Sequence, residues 1–274
     1  MKLGIIGTGT MGSILVESFV DGKAISPSQL LLYNRTEEKA RALQHRIPEV
    51  NVCPSNKELI QQSDLIFICV KPPDICPLLE KYQSQFRRDQ CVVSITSPVS
   101  VSQLEAKIPC SCARVVPSIT NRALAGVSLV TFGENCSTFW RETLLELLSH
   151  ISIPFLIDQH ITRVSSDIVS CGPAFFSFLL QQFVEASVKE TAIDRETAVQ
   201  LAEHMVVGLG ELIKKGYYSL PTLQEKVCVK GGVTGEGIKV LAKDSEGMFE
   251  RLFQVTHKKF EEDLELVQNQ FGCL

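Results

Sequence analysis

Leu3-Gly4-Ile5-Ile6-Gly7-Thr8-Gly9-Thr10-Met11-Gly12 decides the fold. A short apolar run leads into a G-x-G-x-x-G turn, and the turn opens a helix predicted from Met11 through Val20. Such glycines are a weak sign alone. Directly after a first strand and before a helix they mark a dinucleotide-binding unit. Gly7 permits the tight turn, Gly9 lets the backbone approach a pyrophosphate, and Gly12 lets helix and strand pack closely. Thr8, Thr10 and Met11 complete the turn, where free N–H groups and the positive helix end receive phosphate.

Further apolar runs follow at Leu30–Tyr33, Leu65–Val70, Cys91–Ile95, Ala113–Val116, Val127–Thr131 and Ile153–Ile157. They are rich in Val, Ile and Leu, as strands buried on both faces should be. Helix starts lie between them, with capping-box patterns at Ser55-x-x-Glu58 and Ser100-x-x-Gln103. This alternation predicts a mostly parallel sheet covered on both faces, with the last strands antiparallel at an edge. After residue 158 the strand-like runs stop. Residues 173–191 carry a stripe of Phe175, Phe176, Phe178, Leu179, Leu180, Phe183 and Val184, which must be covered on several sides. Asp194 is placed to cap a second helix, with a face through Ala198, Leu201, Met205 and Leu209, and a last helix is expected near Ser245–Gln270. The expected architecture is an α/β Rossmann-type domain over 1–158 followed by an all-α domain over 159–274, with the apolar helical surface as a dimer interface.

Composition narrows the function. The 274 residues hold 27 basic and 31 acidic side chains, a net charge of -4. Residues 1–158 balance at 15 basic and 15 acidic, so the second part, with 12 against 16, holds the whole excess. Nothing here neutralises many phosphates, and nucleic-acid binding is not expected. The ten cysteines include no C-x-x-C, and the five histidines are scattered, so neither a zinc site nor a disulfide scaffold is expected. Met1-Lys2 runs straight into the first strand, and no apolar run approaches the roughly 18 residues of a membrane span. A reducing cytoplasmic setting, away from any membrane, is the expectation.

The second strand ends at Tyr33 and is followed by Asn34-Arg35-Thr36. A site selective for NAD places an acid here for the ribose 2′-hydroxyl. Asn34 is neutral, Arg35 can pair with a 2′-phosphate through two N–H groups, and Thr36 can donate another hydrogen bond. NADP(H) is therefore the expected cofactor. Val70-Lys71-Pro72 ends the next long strand at the same carboxyl edge. Lys71 either reaches the cofactor ribose or phosphate or is a solvated lysine.

With these residues in place the chain resembles the pyrroline-5-carboxylate reductases over nearly its whole length. Gly4-Ile5-Ile6-Gly7-Thr8-Gly9-Thr10-Met11-Gly12 and Val70-Lys71-Pro72 are similar to the family's first turn and its VKP. Val93-Ser94-Ile95 precedes a segment resembling its nicotinamide-side loop. Ser170-Cys171-Gly172-Pro173-Ala174-Phe175 and Gly231-Gly232-Val233-Thr234 look like its SGPAY and PGGTT. Within the family it is most similar to a divergent bacterial branch that contains a late competence protein. The resemblance implies NADPH-dependent hydride transfer to the C=N bond of a cyclic imino acid, giving proline, in a homodimer joined through the helical domain. An iminium carbon is already electrophilic, so such a site needs mainly orientation. Thr234 is implied as the donor near the ring nitrogen. Gly172 and the loop Gly231–Gly237, including Gly232, are implied to hold the substrate carboxylate through backbone N–H groups.

The departures fall mainly on the substrate side. Ser118 replaces an Asn expected near the nicotinamide. Thr96-Ser97-Pro98 replaces an alanine-glycine loop, and Pro98 lacks the N–H a glycine would offer. Cys171 replaces a serine, exchanging a good donor for a weak one. Val229-Lys230 stands where a serine-proline pair is expected, and Lys230 either compensates as a cation near the carboxylate or selects another anion. A catalytically weak dinucleotide-binding paralogue with a regulatory role is thus the alternative. A β-hydroxyacid dehydrogenase is disfavoured, because Phe176 stands four residues beyond Gly172, where a catalytic lysine would be needed. His204, Trp140, Cys228 and Glu261-Glu262-Asp263 read as structural or solvated residues.

Overall fold

A computed structural model describes residues 1–272. The chain opens as β1 (Leu3–Ile6), α1 (Thr10–Asp21), β2 (Leu30–Tyr33), α2 (Glu37–Arg46), β3 (Asn51–Val52), α3 (Asn56–Gln62), β4 (Leu65–Ile68) and α4 (Pro72–Tyr82). It continues through β5 (Cys91–Ser94), α5 (Val101–Glu105), β6 (Ser111–Val116), β7 (Val127–Phe132), α6 (Thr138–Ser149) and β8 (Ile153–Leu156). Thereafter it is helical: α7 (Thr162–Ser166), α8 (Gly172–Glu190), α9 (Arg195–Lys214), α10 (Leu220–Val227), α11 (Val233–Asp244) and α12 (Met248–Phe271).

The eight strands form one sheet in the order β3-β2-β1-β4-β5-β6-β7-β8. β1 pairs in parallel with both β2 and β4, Leu3 lying opposite Leu30 on one side and Leu65 on the other. The direction reverses between β6 and β7, which are antiparallel, and β8 runs parallel to β7. The two-residue β3 is too short to leave an apolar run and is not legible in the sequence. Residues of β1, β4, β5 and β6 are buried throughout, as helices on both faces require. Leu15 and Phe19 of α1 and Trp140, Leu144 and Leu148 of α6 fill one face. Leu59 of α3, Ile75 and Leu79 of α4, Leu104 of α5 and Val267 and Phe271 of α12 fill the other. Burying a side chain such as Phe19 contributes about 1.5–3 kcal/mol. Trp140 also donates its indole N–H to the Asp89 carbonyl at 3.0 Å.

The capping box at Ser100 forms in full, whereas at Ser55 only the cap half forms, because the Glu58 carboxylate accepts from the Gln62 side chain instead. Ser55 accepts from the Glu58 N–H, Asp194 accepts from the Thr197 N–H, and Ser100 and Gln103 bond each other's backbone at 3.1 and 2.9 Å.

Packing divides the chain into two units, Met1–Pro173 with the chain from Thr256 onward, and Ala174–Val255. The end of α12 belongs with the sheet because Val267 and Phe271 are buried in the core that α3, α4 and α5 share, and the Cys76 thiol of α4 donates to the Gln270 carbonyl. In the second unit α8 and α9 meet through Val184, Ala198 and Ala202. Much of the apolar stripe is not covered within the chain, as a surface that a second copy covers would be. Phe176, Phe178 and Phe183 are 64%, 59% and 65% exposed, and Leu201 and Met205 are also exposed. The expectation about apolar length needs correcting. Gln159–Glu190 forms a continuous helical run that contains an 18-residue window with a mean hydropathy of 1.2, enough by length and composition to cross a membrane. α7, a π-turn over Asp167–Cys171 and α8 join end to end, and that continuity is what the residue pattern hid.

Candidate functional site

The first glycine turn lies at the carboxyl end of β1, beside the point where strand order reverses between β1 and β4. Gly7 has φ +98° and donates its N–H to the Tyr33 carbonyl at 2.8 Å. A Cβ there would lie 2.6 Å from the Cys69 carbonyl oxygen, and one on Gly12 would press into the Gly7 carbonyl. At Gly9 a Cβ would meet nothing within 4 Å, so this side of the turn is open. Gly9 caps α1 without any side-chain hydrogen bond, and the first helical turn, with Thr10 and Met11, holds no acid. An uncapped N-terminus of this kind suits phosphate.

Asn34 staples the turn from the side. Its carboxamide oxygen accepts from the Thr8 N–H at 2.9 Å, and its NH2 group donates to the Thr36 carbonyl at 2.8 Å. Arg35 and Thr36 are exposed beside it, and Arg35 has no ion-pair or hydrogen-bond partner among the described residues. Val70 walls the turn, its Cγ1 lying 3.1 Å from where a Gly7 Cβ would be. Lys71 is exposed and caps α4, whose start is stiffened by Pro72. Two buried atoms at this edge, the Thr8 hydroxyl and the Asn56 Oδ1, have no hydrogen-bond partner among the described residues. Asn56 opens α3 and was missed in the sequence. The Ser55 cap that places it at a helix start was the available signal. Open Gly9, the uncapped helix end, free Arg35 and these orphaned atoms fit a bound dinucleotide.

Ser118 is enclosed, 1% exposed. Its hydroxyl donates to the Val169 carbonyl at 2.7 Å and its N–H to Asn121 Oδ1 at 2.8 Å. Ser170 in turn donates to the Pro117 carbonyl at 2.9 Å. The loop after β6 is therefore stitched to the π-turn that leads to Gly172. Within that turn Asp167 is buried and pairs with Arg163 at 2.7 Å, while the Thr256 hydroxyl donates to it at 2.8 Å. Arg163 also lies over the Phe260 ring. Burial pushes the neighbouring Cys171 thiol up, against the pull of Arg163, so it stays neutral. The sequence hid this cluster because Thr256 is 89 residues from Asp167. Only the i,i+4 spacing of Arg163 and Asp167 was readable.

Lys230, Gly231, Gly232 and Thr234 belong to the second unit, and Gly172 to the first. The glycine segment is shorter as a loop than expected, because the chain is helical from Val233. Gly231 has φ +77°, Gly232 caps α11 and donates to the Val229 carbonyl at 2.9 Å, and Thr234 is half-buried in the first helical turn. Lys230 is exposed.

Comparison with known proteins bears on both parts. Residues 159–263 match the family model for pyrroline-5-carboxylate reductase dimerisation, and residues 2–98 that for NADP oxidoreductase, coenzyme F420-dependent. Pyrroline-5-carboxylate reductase 3 of Bacillus subtilis is 30% identical over 95% of this chain and 96% of its own. The chain belongs to the pyrroline-5-carboxylate reductase family. A second Bacillus subtilis relative, ComE operon protein 4, is 54% identical over 99% of both chains. The crystal structure of Plasmodium falciparum pyrroline carboxylate reductase with NADP bound shares the fold, with a TM-score of 0.83 at 22% identity and coverage of 99% and 98%. The N-terminal part is thus an NADP-binding oxidoreductase domain of Rossmann type. The helical part is the family's dimerisation domain, which supports a homodimer and gives the exposed Phe176, Phe178 and Phe183 a reason.

Proposed function

We propose that the protein is an NADPH-dependent reductase of the C=N bond of a cyclic imino acid, with pyrroline-5-carboxylate as substrate and proline as product. The observation that carries this reading is the start of α11. Gly231 turns the chain, Gly232 leaves the helix end without a side-chain cap, and the Thr234 hydroxyl has no partner among the described residues. A helix end of this kind receives a carboxylate through N–H groups, and a threonine hydroxyl beside it can donate to the nitrogen of a neutral imine. When bound, reduced nicotinamide supplies the hydride.

The remaining assignments follow. Gly7, Thr8, Gly9, Thr10, Met11 and Gly12 receive the pyrophosphate. Arg35 and Thr36 meet the 2′-phosphate, while Asn34, committed to the Thr8 N–H and the Thr36 carbonyl, holds their backbone in place. Val70, Lys71 and Pro72 line the crevice, and Ser118 orders the loop on its far side. Lys230, Gly231 and Gly232 hold the substrate carboxylate, and Gly172 keeps the carboxylate role that the family resemblance implies for it. The functional division follows 1–158 and 159–274, and the working compartment is the cytoplasm.

A second reading is a weakly active dinucleotide-binding paralogue with a regulatory role. Pro98, Val229 and the neutral Cys171 thiol favour it, as does the similarity to a ComE operon protein. Steady-state NADPH oxidation with pyrroline-5-carboxylate separates the two. Turnover supports the reductase, and tight NADPH binding without turnover supports the paralogue.

A further inference from the structure

Arg114 is among the largest fully buried side chains, in the middle of β6 with 1% exposure. Among the described residues no carboxylate pairs with it. Its guanidinium donates to the Ser97 carbonyl at 3.1 Å, the Thr131 hydroxyl at 3.2 Å and the Thr162 hydroxyl at 2.5 Å. Burial lowers its pKa to about 10, so the group stays charged at neutral pH. A buried cation held only by neutral acceptors is costly, and a planar fork is the side chain that joins three elements at once.

Two of those acceptors sit on scaffold, Thr131 on β7 and Thr162 at the start of α7. The third is in the loop after β5. A dinucleotide crossing the switch point has its adenosine end past β2, so its other end lies over β4 and β5. The carboxyl end of β5 leads into Thr96-Ser97-Pro98. There the Thr96 N–H is taken by the Ser94 hydroxyl at 3.3 Å, and Pro98 has none. Among the described residues, the Ser97 N–H is the free backbone donor of this segment.

We propose that Arg114 is a positioning residue for the nicotinamide end of the cofactor, acting through the Ser97 carbonyl to hold the loop that carries this donor. This rests on the NADP-binding reading of the same crevice. The test compares the full-length protein with Arg114→Met and Arg114→Lys in titrations with NADPH and with adenosine 2′,5′-bisphosphate, which has the phosphorylated adenosine but no nicotinamide. Loss of the grip on Ser97 weakens NADPH about tenfold and leaves the bisphosphate within about twofold. Bisphosphate binding also reports that the variant is folded. Should Arg114→Met not fold, Arg114→Lys gives the same readout, because an ammonium keeps the charge without bridging the three acceptors. Equal weakening of both ligands, or no change in either, overturns the role. A wild-type protein that binds the bisphosphate but not NADPH also overturns it. One that binds neither removes the cofactor reading, and this role with it.

Discussion

Two glycine-rich turns open helices in this protein, and they are glycine-rich for different physical reasons. At Gly7 and Gly12 the neighbours forbid side chains, because a Cβ on either runs into backbone carbonyls of the same unit, and Gly7 adds a φ of +98°. At Gly231 the backbone conformation makes the demand, with φ +77° and no atom within 4 Å of an added Cβ, while Gly235 and Gly237 also face open space. The first turn is complete within one chain, tied to β2 through Asn34 and to β4 through close contact with Cys69. The second has its conformation but few surroundings within its unit, in a domain whose family role is dimerisation. A motif surrounded by its own unit tolerates little change, whereas one left open depends on what is brought to it.

Substitutions sharpen this contrast. Gly12→Ala has the largest expected effect, because the Gly7 carbonyl yields only if the whole turn moves. Overpacking of this kind costs about 1–3 kcal/mol or more, and NADPH titration should show loss of binding alongside a lower melting temperature. Wild-type values for both would end the close-packing account. Arg35→Ala comes next, with NADPH affinity falling about ten- to hundredfold and NADH affinity unchanged; equal losses would remove the 2′-phosphate role. Thr234→Ala should lower turnover about tenfold with NADPH binding intact, and unchanged turnover would take Thr234 out of the mechanism. The smallest effects belong to the open turn. Gly231→Ala should cost about 1–2 kcal/mol from left-handed strain alone. Gly235→Ala, in a helix with free space, should be neutral or stabilising by up to about 1 kcal/mol. Urea midpoints order the pair, and a reversed order would mean that Gly235, not Gly231, is the constrained position.

What was readable before the structure was local. The strand runs, the caps at Ser55, Ser100 and Asp194 and the glycine turn are written in neighbouring residues, since they depend on spacing and on bonds a few residues long. Asn56 was overlooked because its orphaned oxygen is a property of burial. The Asp167 cluster was overlooked because Thr256 reaches it from the last helix. The apolar stripe of α8 was legible as a pattern that needs cover, but periodicity reports a face and not how much of its cover comes from the same chain.

By itself the sequence determined that an alternating βα half precedes a helical half, and that a pyrophosphate turn follows the first strand. Each of these follows from side-chain periodicity and from the steric freedom of glycine. Only the tertiary structure decided that Asn34 bonds the turn instead of standing free, that Ser118 faces the π-turn, and that a buried Arg114 holds the loop after β5. Those outcomes depend on which distant polar groups satisfy one another once water is excluded, and no short stretch of sequence records that pairing.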